Sequence, residues 1–198
     1  MLIALAIKML AKHDVTAGVA LLLQFDCYLR VSELCSLRIH ILQPDSKKLY
    51  QPATAQHGYG FRSGAAVIIT IPESKTGKFH SVAIASKEIE DILLAYIKYR
   101  QSHIRSDQPL FGMTTAQYSD TLQLYCNKLQ LTQHNYTSHS LRHGGAAYHY
   151  MLRGAGQLQN IMFRGRWKSE SSIQVYLQSI GKSAQQPDVS AKVTEIFH

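Results

Sequence analysis

Apolar residues recur at helical intervals through most of this 198-residue chain, and one short stretch rich in β-branched residues, between positions 65 and 84, breaks that period. A chain so patterned packs helices around a small hairpin. The expected class is therefore mainly α with a small antiparallel β-hairpin or sheet, an α+β fold in one domain. Residues 2–12 and 16–28 carry Ile, Leu, Val and Ala at helical spacing, and residues 31–37 add a third short helix. Pro44 and Asp45 end that pattern, and residues 51–64, with Pro52, Gly58, Gly60 and Gly64, read as a long surface loop. Strands are predicted over 65–71 and 79–84, joined by a turn over 72–78 that contains Thr76-Gly77.

The second half returns to helices. Ser86 is a predicted N-cap for a helix over 87–102, with Glu88 and Glu90 near the positive end of its dipole. Thr114 or Thr115 caps a segment to about residue 130, in which Tyr118, Leu122, Tyr125 and Leu129 share one face and read as core. Ser138 is expected to cap a helix through Arg153, stopped by Gly154. Shorter helices follow over 157–163 and 169–180, separated by Gly165 and ended by Gly181. Residues 181–188 read as a linker and 189–198 as a terminal helix.

Charge narrows the function classes. The chain has 21 Lys and Arg against 13 Asp and Glu, a formal charge of +8 and a pI near 9.4. That imbalance favours a polyanionic partner, with nucleic acid first. Cys27, Cys35 and Cys126 are odd in number and sit in apolar helical patterns, so they read as buried thiols of an intracellular protein. Lys8 and Lys12 interrupt the apolar start, no small-residue cleavage site follows, and no run of about 18 apolar residues exists. Neither a signal peptide nor a membrane span is expected.

Five features occur in order along the chain. Tyr28-Leu29-Arg30-Val31-Ser32-Glu33-Leu34 lies at a helix junction, Ser74-Lys75-Thr76-Gly77-Lys78 in the hairpin turn, and His139-Ser140-Leu141-Arg142-His143 at the start of a helix. Gly165-Arg166-Trp167 and then Tyr176 complete the series. Singly these are weak signals among 11 Tyr and 10 His, and each has an ordinary structural explanation. Together and in order they resemble the tyrosine recombinase (phage integrase) family, over residues 2–180. The resemblance implies a catalytic domain over residues 1–180, a C-terminal segment over 181–198, and no N-terminal core-DNA-binding domain. The Gly-Arg-Trp-Lys-Ser wording is similar to that of recombinases from eukaryotic mobile elements, which implies the nucleus; a bacterial or phage source implies cytoplasm or nucleoid.

The implied site is Arg30, Lys75, His139, Arg142, Trp167 and Tyr176. A phosphodiester repels nucleophiles, and displacement adds negative charge to its oxygens, so the site must supply fixed cations. Arg30 and Arg142 are the expected clamp, because guanidinium stays charged and grips two oxygens at once. Tyr176 is the expected nucleophile; with a pKa near 10, only about one phenol in a thousand is ionised at neutral pH without help. His139 is the expected proton acceptor or shuttle, on the same helix face as Arg142. Lys75 is the expected general acid for the departing 5′-oxygen, with Lys78 as its rival. Trp167 is expected to donate its indole N–H to phosphate, and Glu33 to support Arg30.

Lys78, His143, Arg164, Arg166 and Lys168 are expected to touch the DNA backbone, where contacts give affinity with little sequence information. His139 and His143 have ligand-like spacing, but no third ligand accompanies them, so no metal and no cofactor is expected. The expected partner is double-stranded DNA, on which a homotetramer assembles through the C-terminal segment. Competing readings are an inactive or domesticated DNA-binding module of the same fold, a type IB topoisomerase and a metal-dependent nuclease. The complete set of six residues disfavours the first, and the absence of a carboxylate cluster disfavours the last.

Overall fold

The computed structural model describes residues 2–12, 14–38, 42–44, 67–72, 79–105, 107–174 and 177. Three helices open the chain: α1 (Leu2–Ala11), α2 (Val15–Cys27) and α3 (Val31–Ser36). Strands β1 (Leu42–Pro44), β2 (Val67–Pro72) and β3 (Phe79–Ala83) follow, then α4 (Lys87–Gln101), α5 (Thr115–Lys128), α6 (Ser138–Arg153) and α7 (Leu158–Gly165). Residues 170–174 are helical as well. The expected α+β architecture is found.

Helix α2 is the axis of the domain. Ala17, Val19, Ala20, Leu21, Leu23 and Cys27 are buried all round it, and it packs against α1, α3, α4, α5 and α6. A helix apolar on every side has no solvent face, and that pattern requires a central position. Its one buried amide is fully used. Gln24 donates to the Leu29 carbonyl at 3.2 Å and the Ser138 carbonyl at 3.0 Å, while its Oε1 accepts from the Tyr118 hydroxyl at 2.8 Å. The end of α2 is thereby tied to the start of α6 and to α5.

The sheet is antiparallel in the order β1-β2-β3, with Leu42 opposite Ile69 and Ile69 opposite Val82. Its third strand departs from the hairpin expected from sequence. Pro44, read there as a breaker, stands at the end of an edge strand, where a missing N–H costs no ladder bond. Helix α4 begins at the expected cap, Ser86, whose hydroxyl accepts from the Ile89 amide at 3.2 Å. Its buried Glu90 accepts from the Val67 amide at 2.9 Å and fastens the helix to β2.

Two other local expectations change. The cap of α6 is Thr137, not Ser138: its hydroxyl accepts from the Ser140 amide at 3.3 Å. Gly165 belongs to α7, and the chain turns at Arg166, which adopts the left-handed conformation with φ 58°. The loop expected over 51–64, the turn expected over 72–78 apart from Pro72, which ends β2, and the C-terminal segment over 181–198 lie outside the described residues.

Helices α2 and α6 approach closely at Gly145. A Cβ there would stand 2.0 Å from the Phe25 carbonyl oxygen, whereas one at Gly144 would stand 3.4 Å from the Phe25 ring. Backbone cannot yield as a side chain can. Gly145→Ala is expected to destabilise the domain by about 1–3 kcal/mol through overpacking, and Gly144→Ala by much less. Urea denaturation of the two variants checks this; equal losses would contradict the close approach.

Candidate functional site

Four of the six expected catalytic residues are described, and they converge where the end of α2, the start of α3, the first turns of α6 and the end of α7 meet. Lys75 and Tyr176, together with Lys78, lie outside the described residues. Arg30 is the N-cap residue of α3, so its side chain leaves the helix at the junction. Its Nη1 lies 2.7 Å from Glu33 Oε1, and its backbone amide donates to Glu33 Oε2 at 2.7 Å. Glu33 also takes the Arg166 guanidinium at 2.5 Å and lies 4.0 Å from Arg142 Nη1. One carboxylate thus gathers three arginines. Burial opposes its ionisation, but Arg166, and then the amide and guanidinium of Arg30, outweigh burial and hold the carboxyl below its ordinary range.

Arg142 is buried at 3% exposure, an unusual position for a cation. It donates to the Tyr28 and Gly165 carbonyl oxygens, and its guanidinium carbon sits 4.6 Å over the Trp167 ring. Carbonyl acceptors and a π-face offset desolvation while leaving the positive charge intact. Trp167 is held by its neighbour: a Cβ on Gly165 would fall 1.6 Å from the indole ring, so only glycine lets it lie there.

His139 and His143 stand one turn apart on α6, with their Nε2 atoms 2.6 Å from each other. Burial, then the charges of Arg142 and Arg30, lower the His139 pKa. His143 is pushed down to about 3 by burial, His139 and Arg142. Both rings are neutral at neutral pH, and neutral imidazole is the form that can take a proton. Among the described residues, no three His, Cys, Asp or Glu side chains converge as metal ligands.

Three residues expected on a DNA-facing surface are placed elsewhere. Arg164 is 3% exposed and pairs with Asp26 at 3.0 Å, while also donating to the Asp26 and Ala83 carbonyl oxygens. Asp26 in turn accepts from the Ala85 and Ser86 amides at 2.7 and 3.1 Å. The pair ties α7 to α2, to the end of β3 and to the start of α4. His143 is buried behind His139 at 8% exposure, and Arg166 is spent on Glu33 and, at 3.3 Å, on the Tyr28 carbonyl. Lys168 is exposed. Sequence reasoning overlooked the Tyr28 and Gly165 carbonyls, because a backbone acceptor has no side-chain signature.

A helical domain with a three-stranded antiparallel sheet and an arginine-centred site at this junction has the tyrosine recombinase catalytic-domain fold. The chain belongs to the phage integrase family, which its sequence matches over residues 2–182. No curated protein sequence matches it significantly. Solved structures of similar fold include the XerH site-specific recombinase bound to palindromic difH substrate in a post-cleavage complex, with TM-score 0.67 and 18% identity over 92% of this chain and 50% of that one. The XerH pre-cleavage complex with difH gives TM-score 0.66 and 17% identity over 94% and 51%, and the XerA recombinase 0.65 and 18% over 94% and 62%. At such identity the likeness is one of fold, and the chain spans half to about three-fifths of those proteins. No helix among the described residues is long and apolar enough to cross a membrane.

Two predictions test these placements. Arg164→Met leaves the Asp26 carboxylate buried without its cation and is expected to cost about 3–5 kcal/mol, whereas Lys168→Ala stays within about 0.5 kcal/mol; denaturant midpoints decide, and a harmless Arg164→Met would return that residue to the surface. The second concerns pH. His143 and His149 titrate near 3 and 4 when folded, against 6.5 ordinarily. Above pH 6.5 both are neutral folded or unfolded, but below it the unfolded chain binds protons that the folded one refuses. Melting temperature is therefore expected to decline as pH falls from about 6.5 toward 4, and a flat profile over that window would count against buried neutral imidazoles.

Proposed function

We propose that this chain is the catalytic domain of a site-specific DNA recombinase, which cuts and rejoins strands through a 3′-phosphotyrosyl bond to Tyr176. The observation that carries the proposal is the meeting of Arg30 and Arg142 at Glu33, with Trp167 against the Arg142 guanidinium and His139 one turn before Arg142 on α6. These residues lie far apart in sequence, and a phosphate is the ligand that their shared chemistry suits. Family membership and a fold like that of XerH support the same reading.

In this mechanism Arg30 and Arg142 bind the non-bridging oxygens of the scissile phosphate. The Tyr176 oxygen attacks phosphorus, and His139 accepts the phenolic proton as the bond forms. The bond from phosphorus to the 5′-oxygen breaks, and Lys75 protonates that oxygen as it leaves, yielding a 5′-hydroxyl. Reversal with a different 5′-hydroxyl as nucleophile joins the new strand and frees Tyr176. Arg142 supplies the transition-state charge from a fixed position, so no reorganisation is needed as charge develops. Trp167 packs against that guanidinium, and Lys168 meets the DNA backbone beside the site. Multimers on DNA, joined through the residues after Gly181, belong to the same proposal.

A nicked suicide substrate is expected to trap a denaturant-resistant protein–DNA adduct with wild-type protein. Tyr176→Phe abolishes it, Arg142→Lys lowers its rate by about 10²–10³-fold, and chelator leaves it unchanged. An adduct that survives in Tyr176→Phe assigns the nucleophile elsewhere, and one lost with chelator overturns the metal-free mechanism.

A further inference from the structure

Helix α2 does not simply stop before Arg30. Tyr28 closes it in the left-handed conformation, with φ 51° and ψ 41°, and donates its amide back to the Gln24 carbonyl. That conformation is strained for a residue with a Cβ, and it persists only where surrounding contacts enforce it. The turn has a visible product. It aims the Tyr28 carbonyl away from the helix axis and toward α6, where Arg142 Nη1 and, at 3.3 Å, Arg166 Nη2 both donate to it. A carbonyl oxygen has two lone pairs, and guanidinium donors occupy both.

The other end of the same residue is also gripped. The Tyr28 side chain is fully buried, and its hydroxyl lies 2.5 Å from Nδ1 of His149, itself 6% exposed. Burial, together with Arg164 and Arg153, pushes the His149 pKa down to about 4, and burial raises that of the phenol. Tyr28 is therefore the donor and neutral His149 the acceptor. His149 follows Arg142 by seven residues, two helical turns, so both lie on one face of α6. Between them sits Gly145, where a Cβ would stand 3.0 Å from the Tyr28 ring. One helix face thus cradles the whole residue, with Arg142 at the carbonyl, a glycine under the ring and His149 at the hydroxyl.

We propose that Tyr28 and His149 are positioning residues for the phosphate clamp, their hydrogen bond locking the left-handed turn whose carbonyl holds the Arg142 guanidinium in place. Neither touches the reacting atoms. The inference rests on the recombinase reading for its consequence, since the group being positioned is the proposed transition-state ligand. A clamp displaced by about 1 Å loses roughly 10²-fold in rate, so partial loosening is expected to cost about tenfold.

The test is single-turnover cleavage of the suicide substrate at saturating DNA, well below the melting temperature, for Tyr28→Phe, His149→Leu, His149→Gln and the double variant Tyr28→Phe with His149→Leu. Loss of folded protein lowers the amplitude of the burst, whereas a mispositioned clamp lowers its rate constant. The expected result is a rate constant down about tenfold in Tyr28→Phe and His149→Leu, DNA affinity within about twofold of wild type, and a double variant no slower than either single. His149→Gln, which keeps an acceptor for the phenol, recovers most of the rate. A rate constant within twofold of wild type in Tyr28→Phe, or a loss confined to amplitude, overturns the proposal. Trp167, the single tryptophan, gives a readout besides activity because its ring lies on Arg142. Its emission is expected to shift in His149→Leu, and an unchanged spectrum speaks against the coupling. Wild-type protein that forms no adduct sinks the recombinase reading, and the emission of His149→Leu then still decides whether this pair holds Arg142.

Discussion

Three arginines, Arg142, Arg164 and Arg166, are drawn into the interior of this domain, and the structure depends on where their charge is met. Taking a guanidinium out of water costs several kcal/mol unless acceptors surround it. Here the acceptors are concentrated in one short stretch of chain. The Asp26 carboxylate and carbonyl take Arg164, the Tyr28 carbonyl takes Arg142 and Arg166, and Glu33 takes Arg166 while lying 4.0 Å from Arg142. Eight residues around the end of α2 therefore satisfy cations delivered by α6 and by the end of α7. The site is assembled by the same contacts that dock the C-terminal helices on the central one.

The arrangement divides labour among cations of one chemical kind. Arg164 is committed to a carboxylate and two carbonyls at almost zero exposure, which makes it a strut between α7, α2 and the end of β3. Arg166 braces Glu33 against the end of α2. Arg30 has a side chain about half exposed, 52%, and reaches Glu33 from the solvent side. Glu33 sets the spacing. It lies close enough to restrain the arginines, yet one carboxylate against three guanidiniums leaves the junction positive and suited to a phosphate.

Much of this was legible in the sequence because it was written in periodicity and in ordered motifs. Helical spacing placed α1, α2, α4 and α5, and the β-branched stretch placed β2 and β3, since both signals reflect burial of one face or of all faces. Strand β1 was not legible. Three residues ending in proline carry no alternation, and the strand exists because β2 offers an edge to pair with. The motifs identified Arg30, Glu33, His139, Arg142 and Trp167, which the fold brings to one junction. Arg164 and Arg166 read as DNA-facing because charge between two short helices usually means solvent, and nothing local reveals that Asp26 and Glu33, more than 130 positions away, receive them; His143 is buried on the inward face of α6 beside His139.

The inward face of α6 shows why such a site resists reading by hydrophobic pattern alone. Arg142, His143, Gly145 and His149 are buried there beside Leu141 and Ala146, so polar groups occupy positions that periodicity assigns to core. Arg142 and His149 each meet a specific partner across the interface, the Tyr28 carbonyl and the Tyr28 hydroxyl, while His143 pairs with His139 one turn back on the same helix. A buried polar group that meets a specific partner orients the elements that carry it, so Arg142 and His149 fix how α6 sits against the end of α2. Building that cation into the helix interface makes its geometry a property of the fold, not of a mobile surface side chain.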